Sequence, residues 1–97
     1  MNMQEYCVIA FANARVATKG QNILQQTGLK AFLMPTPREI TASCGLSLRL
    51  SPKDGPRARE ALDAAGLPDG ERRFYHMSYD EHHRSVVPAE ELTANSP

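Results

Sequence analysis

Tryptophan is absent from this sequence, and aromatic residues of any kind make up only 6% of it. That scarcity argues against a base-stacking platform of the kind single-stranded nucleic acid requires. An excess of one charge is also missing, because 11 basic and 11 acidic residues balance. A general nucleic-acid or membrane-surface binder needs a basic excess, so neither partner is expected. No apolar run approaches the ~20 residues of a membrane-spanning helix. No secretory hydrophobic segment follows Met1-Asn-Met-Gln-Glu5, so the expected location is cytoplasmic, with reduced thiols. Cysteine occurs only at positions 7 and 44. With no Cys-x-x-Cys pair, neither a disulfide framework nor a closed zinc pattern is written in the chain. The 97 residues suit one domain. A domain of that size buries somewhat over ~60% of its unfolded surface, and the apolar remainder favours a homodimer.

The apolar run Tyr6-Cys-Val-Ile-Ala-Phe11 reads as a central strand. Val16, Gly20, Ile23, Leu24 and Thr27 recur near helical spacing over 14–27, and Gly28 is a helix-ending signal. Lys30–Met34 reads as a second strand ended by Pro35 and Pro37. Leu46, Leu48 and Leu50 alternate with Ser47 and Arg49, the pattern of a strand with one buried face. Ser51-Pro-Lys-Asp54 reads as a helix start, followed by the stripe Ala58, Ala61, Leu62, Ala65 and by Gly66. Arg73–Met77 reads as a fourth strand. The order β-α-β occurs twice, and Leu24–Leu29 echoes Leu62–Leu67 at each helix end. We therefore expect an α+β fold of ferredoxin-like βαββαβ plan over residues 1–79. Its four strands would be antiparallel in the order 4-1-3-2, with both helices on one face. Residues 80–97 are expected as a polar C-terminal tail.

Chemistry concentrates at Cys44-Gly45, where the connection Pro35–Ser43 enters the third strand. In the expected topology this point lies beside Phe11-Ala12-Asn13, where the first helix begins. A helix N-terminus offers unpaired N–H groups and partial positive charge, which favour thiolate over thiol. Its contribution of roughly 0.3–1 kcal/mol corresponds to less than about one pKa unit. Arg38, Arg72 and Arg73 are candidates for adding to it. Gly45 permits close backbone approach, and Pro35 and Pro37 hold the connection open. The bland alternative is that Cys44 is a small buried residue with no chemistry.

Cys7 lies about five strand residues from Cys44, roughly 15 Å at ~3.4 Å per residue. A disulfide needs Cα atoms within about 7 Å, so no bridge is expected and Cys7 reads as core filler. His76, His82 and His83 lack metal-site spacing, so no metal and no cofactor are expected. A Cys-His hydrolase would need a histidine beside Cys44, and His76 falls late in the fourth strand.

The stretch Pro35-Thr-Pro-Arg-Glu-Ile-Thr-Ala-Ser-Cys-Gly-Leu-Ser-Leu-Arg49 resembles the signature of a small bacterial family, the Se/S carrier protein-like proteins. Their pattern is close to Pro-x-Pro-Arg-x-Ile-x-x-x-Cys-Gly-x-x-Leu-Arg. Pro35, Pro37, Arg38, Ile40, Cys44, Gly45, Leu48 and Arg49 all match it. The chain departs from the family at Ala12-Asn13-Ala14, where a Ser or Thr is usual. The resemblance implies a carrier more than an enzyme. Cys44 would hold sulfur or selenium as a persulfide or selenopersulfide and pass it to an acceptor protein. Arg38, Gly45, Pro35, Pro37 and Asn13 would form its surroundings, and donor and acceptor proteins would be its partners. The alternative from a different class is a non-catalytic interaction or regulatory module with a structural Cys44. A thiol enzyme or redox sensor is a third reading.

Overall fold

A computed structural model describes residues 4–40, 45–80 and 82–89. In chain order the elements are β1 (Gln4–Phe11), α1 (Ala14–Gln26), β2 (Phe32–Pro35), β3 (Leu46–Leu50), α2 (Gly55–Ala64), β4 (Arg72–Tyr79) and β5 (Arg84–Pro88). One sheet holds all five strands in the order β2-β3-β1-β4-β5, and every neighbouring pair is antiparallel. The fold is α+β.

The expected four-stranded ferredoxin-like sheet is corrected in its strand count. Residues 84–88 were expected within a polar tail, yet they pair with β4 at Met77↔Val86 and Tyr79↔Arg84. The cause is a tight turn built on Asp80. Its carboxylate Oδ1 accepts the backbone N–H groups of His82 and His83 at 2.8 and 2.9 Å. Its own N–H donates to the His83 carbonyl at 2.9 Å. Aspartate favours such turns because its side chain can satisfy backbone donors a few residues on, here the second and third. Val86 and Val87 then lie half-buried on β5. Residue 81 and residues 90–97 of that segment lie outside the described residues.

Helix α1 starts where the Asn13 side-chain oxygen accepts the Val16 N–H at 3.0 Å, an N-cap. Val16, Ala17, Gly20 and Leu24 form its buried stripe. Gly28 and Gly66 close the two helices at φ +85° and +79°, values that only glycine reaches without strain. Helix α2 follows a 3-10 turn, Pro52–Asp54, and buries Ala58 and Leu62. Both helices pack on one sheet face against Cys7, Ile9, Phe11, Leu48, Leu50 and Phe74. A Cβ on Gly20 would stand 2.8 Å from the Phe11 ring, so glycine lets α1 approach the sheet.

The second face is not bare. Cys7 through Phe11 are all buried, so β1 is covered on both sides. Val8, Ala10 and Met77 form a second cluster on the side away from the helices. Its fourth buried member is Ile40, from the β2–β3 connection.

Candidate functional site

The connection carrying the signature is strapped across the sheet. Pro35 ends β2 opposite Leu46. One residue on, the Thr36 N–H donates to the Gly45 carbonyl at 2.9 Å, extending the β2–β3 ladder. The Thr36 and Ser47 hydroxyls meet at 2.8 Å, which satisfies the fully buried Ser47. Pro37 is buried, and its carbonyl accepts the Ile40 N–H at 2.9 Å. That turn exposes Arg38 and Glu39 and drives Ile40 onto Val8 and Ala10 of β1 and Met77 of β4. At ~4.8 Å per strand, the chain has moved roughly 10 Å from the β2 edge toward the middle of the sheet.

Glu39 completes the crossing. Its two carboxylate oxygens accept from Arg84 Nε and Nη2 of β5, each at 2.8 Å. Those bonds hold the Glu39 carboxyl below its usual range, with its own backbone N–H assisting. They raise Arg84 correspondingly.

Cys44 lies, with residues 41–43, outside the described residues. The positions on either side of these four residues are anchored: Ile40 is 5% exposed, while Gly45 is bonded to Thr36. Among the described residues, nothing stands within 4 Å of where a Cβ on Gly45 would be, and Gly45 itself is exposed. The β1–β3 register reaches Ala10↔Ser47. Two more steps place Ala12 across from Gly45, beside the α1 cap. Asn13 spends its side-chain oxygen on that cap. Arg72 pairs with Phe11 on the helix-facing side, and its buried side chain bonds to Asp63 of α2. Arg73 is exposed. Arg38 stands at the tip of the turn that precedes residues 41–44.

Cys7 is a buried free thiol in the helix-side core. Burial pushes it up to about 11, with Arg59 pulling it down and Asp54 adding a smaller upward push. A thiol so raised is a poor nucleophile at neutral pH. His76 bonds Glu5 at 2.8 Å. Among the described residues, no group of three or more His, Cys, Asp or Glu side chains could hold a metal ion.

Sequence reasoning missed the stack on the sheet face away from the helices. The Arg49 guanidinium lies 4.7 Å from the Tyr6 ring centre and 5.7 Å from that of Phe32. Tyr6 in turn stacks on Tyr79 at 5.9 Å and 30°. The hydroxyl contact with Tyr6, and then burial, raise the Tyr79 phenol, while Arg49 pulls it down. Four strands contribute one residue each, so no local motif announces the group. The Glu39–Arg84 contact was missed for the same reason, and Ile40, matched in the signature, was not read as the residue that seats the connection on the sheet.

Comparison with curated proteins and with solved structures gives no match. The family model described as Putative Se/S carrier protein-like matches residues 6–71. That span covers more than half of the 97 residues. It runs from β1 through the whole Pro35–Arg49 stretch and α2, and ends one residue before β4. The chain thus belongs to the Se/S carrier protein-like family.

Proposed function

We propose that the protein is a sulfur or selenium carrier whose working atom is the Cys44 thiol. The Cys44 thiolate attacks the terminal sulfur or selenium of a donor protein's persulfide or selenopersulfide. The S–S or S–Se bond of the donor breaks, the donor thiolate leaves, and the chalcogen atom stays on Cys44. A nucleophile on an acceptor protein then takes that atom, and the Cys44 thiolate is the leaving group. Each exchange is one bond for one bond, with no external oxidant or reductant.

One observation carries the reading. The four residues 41–44 run between two anchored positions, Ile40 in the core and Gly45 bonded to Thr36 just before β3, and among the described residues nothing lies within 4 Å of a Gly45 Cβ. A carrier needs a thiol held in place yet reachable by two large partners in turn. Family membership supports the same chemistry. The partial positive charge of the α1 N-terminus and Arg38 are the groups that favour the anion. The buried, raised Cys7 does not compete for the cargo.

Incubation with a cysteine desulfurase and free cysteine, followed by intact mass, tests the reading. Native protein and Cys7→Ala gain the mass of one sulfur atom, and Cys44→Ser does not. An unmodified native protein whose Cys44 also resists alkylation at neutral pH would leave an interaction module instead. One observation favours that second reading: edge strand β2 exposes Phe32 and Leu33 at 53% and 40%.

A further inference from the structure

On the helix-free sheet face, a cleft of about 430 Å³ lies beside the strapped connection. Its apolar lining comes from Met34, Met77 and Tyr79, with Arg49 of β3 on one side and Arg84 of β5 on the other. The two arginines are in different states. Both terminal oxygens of Glu39 engage Arg84. Arg49 has no carboxylate partner among the described residues. Its guanidinium carbon lies 4.7 Å from the Tyr6 ring centre and 5.7 Å from that of Phe32, contacts that restrict where the group sits without using its N–H donors on a carboxylate. The remaining acid of the lining, Asp80, accepts the His82 and His83 backbone N–H groups through Oδ1. An oriented guanidinium presents paired N–H donors that match a carboxylate, phosphate or similar oxyanion in bidentate fashion. Clefts of this size with apolar walls and one or two fixed polar groups suit small organic ligands.

We propose that this cleft is a binding site for a small organic anion. The oxyanion head lies on Arg49, and an apolar or aromatic body lies against Met77 and Tyr79. The site does not involve Cys44, and it stands or falls separately from the carrier reading. A guanidinium already in contact with two rings has less rotamer freedom to lose when it takes up the anion.

Phenyl phosphate is the probe, with inorganic phosphate as head alone and phenol as body alone. Each is titrated into full-length protein carrying Cys44→Ser, and binding is followed by backbone amide shifts in the 1H–15N NMR spectrum. Phenyl phosphate should saturate in the millimolar range or below and move the amides of 49, 77 and 79. It should bind more tightly than either fragment. Arg49→Met should weaken it at least about tenfold, equivalent to ~1.4 kcal/mol. Arg49→Lys, which keeps the charge and loses the fork, should fall between. Arg73→Gln, exposed and outside the cleft, should bind like the parent, and the amide spectrum of each variant reports its fold. The proposal is overturned if phenyl phosphate does not saturate, or if a folded Arg49→Met binds it as the parent does.

Discussion

Truncating Ile40 tests the architecture of the site most directly. Ile40 is 5% exposed and packs on Val8, Ala10 and Met77, the other buried members of its cluster among the described residues. Ile40→Ala deletes three carbons, a transfer loss of ~2.4 kcal/mol at ~0.8 kcal/mol each. The space left behind adds to this, and buried Ile→Ala changes cost about 2–5 kcal/mol in total. A domain of this size has only about 5–15 kcal/mol to lose. The Glu39–Arg84 pair is exposed at the sheet rim, where such pairs contribute little and are screened by salt. Burial of Ile40, rather than the ion pair, is therefore what holds the connection on the sheet. Urea denaturation of Ile40→Ala, Ile40→Val and Glu39→Gln measures this. The expected order of loss is Ala well above Val, with Gln smallest. The penalty for Ile40→Ala cannot exceed the free energy of lifting the connection off the sheet. A loss below about 1 kcal/mol would therefore refute the claim that the strap is seated by apolar burial.

Cys7 carries a second prediction. Its pKa rises from 9.0 to about 11 on folding. A group raised in this way contributes stability that is fully present below pH 9 and is lost as pH climbs toward about 11. Two units correspond to about 3 kcal/mol as an upper figure, read as the difference between the pH profiles of native protein and Cys7→Ala. Parallel profiles over that window would contradict the assignment. Gly20→Ala gains ~1 kcal/mol of helix propensity but forces a methyl group into the Phe11 ring, an overpacking cost of about 1–3 kcal/mol. The urea midpoint should fall, and a rise would show that α1 does not press on β1 there.

Six of the seven elements were legible in the sequence, because apolar spacing, Gly28 and Gly66, and the Ser51-Pro52 start each act locally. β5 was not. Arg84-Ser-Val-Val-Pro88 has two apolar residues between polar flanks, and its pairing depends on the Asp80 turn. The one available signal was aspartate followed six residues later by a β-branched pair. The cover over the second sheet face was written in the chain without being read. The run Cys7–Phe11 has no polar position, so a strand made from it needs apolar contact on both sides, and two helices supply one side. Of the site, the strand entry at Gly45 and the cap at Asn13 could be placed from topology. The Arg49–Tyr6 and Glu39–Arg84 contacts join residues 43 and 45 positions apart in sequence, and pattern reading has no reach over such distances.

Surface connections ordinarily absorb added or deleted residues at small cost. The stretch from Pro35 to Ile40 behaves differently, because it is a measured span with an anchor at each end. One residue added there would carry Ile40 past its seat and turn Glu39 away from Arg84. One residue added between Asp80 and His83 would instead disturb the backbone N–H groups that Asp80 holds, and with them the start of β5. The molecule thus has a connection whose length is as constrained as a strand's.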